Sequence, residues 1–404
     1  MSRRARTGRR RFLKGALAAG GLGALRPSRL YASYLAARHG DIYRRMGVEP
    51  LINAGGTLTV LTNSVLVPDA REAMAEASRY FVPLVELQRA AGKRIAELSL
   101  AESAMVTSGS AGAILLATAA CVTGGDKEKV VRLPDTSGMK NEVIIPTTHR
   151  IPFDHAARAV GVKMVEVDTP ADLQAAIGPR TAMLFFVNRA ESSGPIRREA
   201  FIRAGKSAGV PVFNDAAAEL PPADNLNRFV KEGFDLVCFS GGKALCGPAA
   251  TGILMGRRDL IEAAQLNADP NADTLGRAGK VGKEQIMGLL AALEAYVRRD
   301  HEKDQRRWRK CLKRIADDVR HVPTTASEIF FPSGRGYPYL RVSWDVEKLG
   351  LGYEACQEVL MDGEPRIAVI PSPEGIEIIS INLSPGEERI IGLRLSEVLR
   401  HAAG

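Results

Sequence analysis

A chain of 404 residues, 45% hydrophobic and 25% charged, is long enough for two substantial domains and a large core. Its formal net charge of +9 is carried by the first 30 residues, which hold eight Arg, one Lys and no acid. The remaining chain balances 46 basic against 46 acidic groups, which argues against a dedicated nucleic-acid binder.

The five cysteines, at 121, 238, 246, 311 and 356, are scattered and odd in number. They show no CxxC or Cys/His ligand spacing, so neither a zinc site nor a disulfide framework is indicated.

Taken in order, the chain opens on Thr7-Gly8-Arg9-Arg10-Arg11-Phe12-Leu13-Lys14, which resembles a twin-arginine export motif. The apolar run Gly15–Leu25 that follows has 11 residues, too short for a mature membrane span and suited to a signal peptide. The expectation is a signal over residues 1–33, cleaved near Ala32, and a periplasmic or exported protein. Residues 34–60 read as an arm containing Leu51-Ile52-Asn53-Ala54-Gly55-Gly56-Thr57. Residues 68–100 show helical periodicity.

Short apolar runs near 104–107, 143–146, 163–167, 183–188, 210–214, 235–239 and 252–256 then alternate with helical segments. Seven strands interleaved with helices predict a largely parallel sheet covered on both faces. A long helical pattern from Glu284 to Arg320 reads as a bridge. Strands near 329–331, 339–344, 366–370 and 376–382, with helices from Tyr353 and Glu387, predict a smaller α/β domain. The expected boundaries are 61–290 for the large domain and 291–404 for the small one.

Chemistry concentrates at strand ends. Thr107-Ser108-Gly109-Ser110-Ala111-Gly112 joins a strand to a helical run. Free backbone N–H groups and the helix dipole make such a turn an anion site, and its two serines add hydroxyl donors. His149 ends another strand as a candidate to stack on a ring, with His155 its competitor. Asn188, after Phe185-Phe186-Val187, can donate to a ring oxygen. Asp215 ends Val210-Pro211-Val212-Phe213-Asn214, where a carboxylate can hold a pyridine nitrogen protonated; a helix N-cap is the structural alternative.

Lys243 lies in Ser240-Gly241-Gly242-Lys243, just past the strand Asp235–Phe239. Burial there favours the neutral amine, which can form an imine with an aldehyde. Ser240 offers a hydroxyl to a phosphate. The order of phosphate turn, ring partner, Asn, Asp and Ser-x-x-Lys points to pyridoxal phosphate.

This order resembles the fold type I pyridoxal-phosphate enzymes, the aspartate aminotransferase superfamily. Ile52-Asn53-Ala54-x-Gly56-Thr57, the run Leu133–Glu142, Asp215-Ala216-Ala217-Ala218-Glu219-Leu220-Pro221-Pro222 and Gly276-Arg277-x-x-Lys280-Val281-Gly282-Lys283-Glu284 are similar to one branch. That branch holds selenocysteine synthase (L-seryl-tRNA selenium transferase) and the D-glucosaminate-6-phosphate ammonia-lyase type. The resemblance implies that Lys243 is the Schiff-base lysine and Asp215 the pyridinium partner. Ser108, Gly109, Ser110 and Ser240 would hold the phosphate, and Arg277 and Lys280 an anionic group of the substrate. It also implies a homodimer or higher homo-oligomer and a carboxylate-binding role for Arg366, for which an edge-strand surface position is the equal alternative.

The tRNA-reading domain of selenocysteine synthase has no counterpart here, and Lys280 stands where a second Arg is usual. The expected activity is therefore an α,β-elimination on an amino acid or amino-sugar acid, with Lys243 as the base at Cα. Selenium transfer, transamination and an exported binding protein without turnover are the alternatives.

Overall fold

The structure, a computed structural model, describes residues 41–404; the expected signal at residues 1–33 lies outside them. Residues 52–404 form one compact unit. It begins within a short strand, β1 (Leu51–Asn53). The next residue, Ala54, donates its N–H to Ala368 O at 2.9 Å and accepts from Ile379 N at 2.8 Å. No described helix is long and apolar enough to cross a membrane.

The central sheet contains the seven expected strands: β2 (Ser103–Ser108), β3 (Glu142–Pro146), β4 (Lys163–Val167), β5 (Thr181–Val187), β6 (Val212–Asp215), β7 (Leu236–Ser240) and β8 (Thr251–Gly256). Their order across the sheet is β2-β8-β7-β6-β5-β3-β4. Only β8 runs against the others, antiparallel to both β7 and β2. Side-chain alternation divides the core into two layers. Phe186 joins Phe201, Val237 and Leu289 on one face, and Phe185 joins Phe213, Ile114 and Cys238 on the other. Strands this buried on both faces read as continuous apolar runs, which is why they were legible.

Helix Gly109–Thr123 covers one face with an almost wholly apolar surface. On the other face, helix Leu84–Ser99 approaches β2 so closely that a Cβ on Gly92 would lie 2.1 Å from Ala104 O. Only glycine fits there.

The expected helix over 68–100 is two helices, Pro68–Ala77 and Leu84–Ser99. Pro83, the residue before the second, cannot continue a helix begun upstream. The pattern from 284 to 320 also divides, into Lys283–Arg298 and His301–Val319. Asp300 is the cause: its side chain accepts from Lys303 N at 2.9 Å and starts a new helix. The first of this pair buries Ile286, Leu289 and Leu293, and the second buries Trp308, Leu312 and Ile315.

The C-terminal strands β9 (Ala326–Phe330), β10 (Tyr339–Ser343), β11 (Arg366–Ala368), β12 (Ile370–Ser372) and β13 (Gly375–Ile379) follow. Four of them form an antiparallel sheet in the order β12-β13-β10-β9. The closing helix, Glu387–Ala402, buries Ile391, Leu395 and Leu399.

Candidate active site

The site lies along one edge of the central sheet, where strand ends and turns meet. Pairing register gathers its parts. Asp215 on β6 stands opposite Cys238 on β7. Two residues on, Ser240 stands opposite Gly252 on β8, and the adjacent Thr251 stands opposite Ser108 on β2. Asp215, Ser240 and Ser108 thus share an edge across four neighbouring strands, whose spacing is roughly 4.8 Å.

The Ser108–Ser110 turn opens the 15-residue helix Gly109–Thr123. Gly109 takes φ +69°, a conformation glycine adopts without strain. The turn rests on β8, because a Cβ on Gly252 would lie 2.5 Å from Gly109 C and O and 2.7 Å from Ser110 N. Helix N–H groups therefore face the same edge as the hydroxyls of Ser108, Ser110 and Ser240. None of the three hydroxyls takes a hydrogen-bond partner among the described residues. A turn built this way is suited to an anion.

Asp215 is 8% exposed. Its Oδ1 accepts from Ala217 N at 3.0 Å and from Cys238 Sγ at 3.6 Å. These bonds close an Asx turn rather than cap a helix, since the next α-helix starts at Asn225. Oδ2 takes no hydrogen bond among the described residues. Burial raises the Asp215 pKa, opposed by the Ala217 N–H and by Lys243.

The Lys243 turn is fixed from both sides. Ser64 Oγ donates to Gly242 O at 2.7 Å, and a Cβ on Gly242 would lie 2.6 Å from Ala249 Cα. Lys243 Nζ makes no hydrogen bond or ion pair among the described residues. Burial lowers its pKa; Asp215 opposes that shift, while Arg335 and Arg189 reinforce it. A partly buried amine with two guanidinium groups in its field is shifted toward the nucleophilic neutral form.

Asn188 is fixed in a polar network. Its Nδ2 donates to Glu219 Oε2 at 2.9 Å, and its Oδ1 accepts from Arg198 Nη1 at 3.0 Å and Asn214 Nδ2 at 3.5 Å. One of its two amide hydrogens remains for a ring oxygen.

His149 does not present an open ring face. It is 1% exposed, its Nδ1 accepts from Val187 N at 3.2 Å, and it packs edge-on against Phe186 with centroids 4.4 Å apart. Burial lowers its pKa to about 4, with a backbone hydrogen bond at Ala190 acting the other way. The depressed value means the neutral ring stabilises the fold fully above pH 6.5, and that contribution is lost as pH falls toward 4. His149→Gln is therefore expected to remove about 3 kcal/mol of acid destabilisation between pH 7 and pH 4. Urea unfolding of both apoproteins at the two pH values measures it.

The expected substrate cations fare differently. Gly279 brings the 276–280 loop against the phosphate turn, where a Cβ would sit 3.4 Å from Ser108 Cβ. Arg277 is ion-paired to Asp269 at 2.5 Å, whereas Lys280 is exposed. Arg366, on β11, donates from Nε to Met361 O at 3.1 Å.

Sequence reasoning missed two arginines and left a glutamate without a role. Arg335 reaches over the site on a loop held by Gly336, where a Cβ would lie 2.0 Å from Pro221 O. Its Nη1 donates to Ala218 O at 3.4 Å, and it makes no ion pair among the described residues. Arg189 is exposed beside Asn188 and likewise makes no ion pair among the described residues. Glu219, in the quoted Asp-Ala-Ala-Ala-Glu run, is 4% exposed. The flanking glycines of Arg335 were the one available signal.

The donor set suits pyridoxal phosphate: an anion turn with three unpartnered hydroxyls, a buried carboxylate with one oxygen unbonded, and an unpaired lysine. Fold and donor set together define the class, a fold type I pyridoxal-phosphate-dependent enzyme. Among curated relatives, D-glucosaminate-6-phosphate ammonia lyase of Salmonella typhimurium (strain 14028s / SGSC 2262) is 30% identical over 380 residues, 90% of this chain and 99% of the relative. A 5'-C-glycyluridine monooxygenase-decarboxylase of Streptomyces sp is 30% identical over 379 residues, covering 90% and 93%. L-seryl-tRNA(Sec) selenium transferase of Moorella thermoacetica is 29% identical over 318 residues, covering 71% and 61%.

A solved D-glucosaminate-6-phosphate ammonia-lyase superposes with TM-score 0.79 at 29% identity, over 91% of this chain and 100% of that one. A serine palmitoyltransferase from S. paucimobilis with bound PLP shares the fold, with TM-score 0.56 at 12% identity over 88% of each chain. The L-seryl-tRNA selenium transferase (SelA) family matches residues 51–330. The chain belongs to that family.

Proposed function

We propose that this enzyme is a lyase that eliminates a β-substituent from an amino acid or amino-sugar acid and releases ammonia and a keto acid. The observation that carries the proposal is the pairing of an amine free of hydrogen bonds, Lys243, with a buried carboxylate, Asp215, at one sheet edge. Similarity to an ammonia lyase over nearly its whole length supports it.

Pyridoxal phosphate, if held here, would supply an aldehyde for an amine and a protonated ring as an electron sink. Ser108, Ser110, Ser240 and the helix N–H groups would hold the phosphate. Asp215 would hold the proton on the ring nitrogen. Lys243 Nζ, a partly buried amine shifted toward its neutral form, would take the Cα proton. Arg335 and Arg189, cations without ion-pair partners, suit a substrate carrying a carboxylate or phosphate.

Incubating cofactor-loaded protein with β-substituted amino acids and amino-sugar acids is expected to yield keto acid and ammonia in equal amounts. No added keto acid and no oxygen should be needed. A requirement for an acceptor would make it an aminotransferase. Oxygen uptake with loss of CO2 would favour chemistry like that named for the Streptomyces relative.

Two further expectations belong to this reading. Arg9-Arg10-Arg11-Phe12-Leu13-Lys14 with its apolar run supports twin-arginine export, which cell fractionation tests. Exposed apolar side chains at Val60, Val65 and Phe81 support a homodimer, which sedimentation tests.

A further inference from the structure

Glu219 is a buried titratable group for which Lys243 and Asp215 leave no assigned task. The turn after β6 brings it back toward the sheet edge. Asp215 Oδ1 accepts from Ala217 N at 3.0 Å, and Glu219 N donates to Ala216 O at 3.1 Å. Its backbone carbonyl is pinned by Asn225 Nδ2 at 2.7 Å. Oε2 is held by Asn188 Nδ2 at 2.9 Å, and Asn188 is held in turn by Arg198. Oε1 accepts no hydrogen bond, and no cation lies within ion-pair distance among the described residues. The charged groups in its field are Arg335, Asp215 and Lys243. Burial raises its pKa, opposed by the Asn188 hydrogen bond and the two cations, and so favours the carboxyl's protonated form.

An elimination needs such a proton when the leaving group is poor. Lys243 is occupied at Cα and Asp215 at the ring nitrogen, so neither can also serve the departing atom. Resting on the elimination reading above, we propose that Glu219 is the acid that protonates a departing β-hydroxyl. Lys243 Nζ takes the Cα proton, and the C–H electron pair becomes the Cα=Cβ bond. The Cβ–O bond breaks, its pair takes the proton from Glu219, and water leaves. Glu219 is then ionised and Lys243 protonated, so one proton passed between them resets both.

The test compares leaving groups. Glu219→Gln keeps size and hydrogen-bonding capacity but has no acidic proton. With serine as probe, kcat is expected to fall at least ~100-fold, the usual worth of a positioned acid. With β-chloroalanine, whose chloride needs no proton, kcat should change by less than about 5-fold, since the variant lacks only that acid. KM and the absorbance of the bound cofactor should hold in both cases. Equal losses on the two probes, or no loss on serine, would overturn the assignment.

Should the variant fail to fold, wild type answers the same question. The ratio of serine to β-chloroalanine turnover is expected to fall as pH rises through the Glu219 ionisation; a flat ratio refutes the role. A wild type inactive on both probes would instead remove the elimination reading, and this inference with it.

Discussion

Lys243→Ala is expected to lower turnover by at least roughly 10⁴-fold, the upper range for loss of a positioned base, and to abolish the visible absorbance of lysine-bound cofactor. The size follows from two lost tasks, tethering the aldehyde and removing the Cα proton. The fold should survive. Lys243 makes no hydrogen bond or ion pair among the described residues, and its turn is held by Ser64 and by the close packing of Gly242 on Ala249. Thermal unfolding of the apoprotein should accordingly change little, and a phosphate-bound but untethered cofactor should still be retained. Titrating pyridoxal phosphate into both proteins while recording spectra and rates checks this.

Asp215→Asn is expected to cost about 10³-fold in kcat, close to 4 kcal/mol at 1.36 kcal/mol per decade. Asparagine fills the same volume and can keep the Ala217 contact, but it cannot keep a proton on the ring nitrogen. The electron sink fails while tethering persists, so absorbance should remain as activity falls. Stability should move differently. Burial penalises the Asp215 charge in the apoprotein, so the neutral amide should leave unfolding unchanged or raise the midpoint. A variant that lost activity only because it unfolded would contradict this role.

Much of this was legible because the fold writes itself in apolar runs. All seven central strands were readable, most of them because strands buried on both faces leave no polar alternation to confuse them; the edge strand β4, with Lys163 and Glu166 exposed, is the exception. The Ser108 turn, Asp215 and Lys243 were legible because each follows such a run. The helix breaks were harder, as they depend on local chemistry at Pro83 and Asp300 that a long periodic pattern hides.

His149 looked like a stacking ring from its place after a strand. Sequence position does not reveal that the imidazole packs under Val187 and against Phe186. Arg335 was invisible for the opposite reason, because a loop 92 residues beyond Lys243 delivers it and no local signal predicts that return. Arg277 sat in a recognisable motif, yet the Asp269 that pairs with it lies in a separate turn.

The most direct measurement is to locate the cofactor. Cofactor-loaded protein is reduced with borohydride, digested, and the modified peptide sequenced by mass spectrometry. One pyridoxyl group per chain on Lys243 is the predicted result. Label on another lysine, or none while Lys243 is intact and the protein folded, would contradict the account.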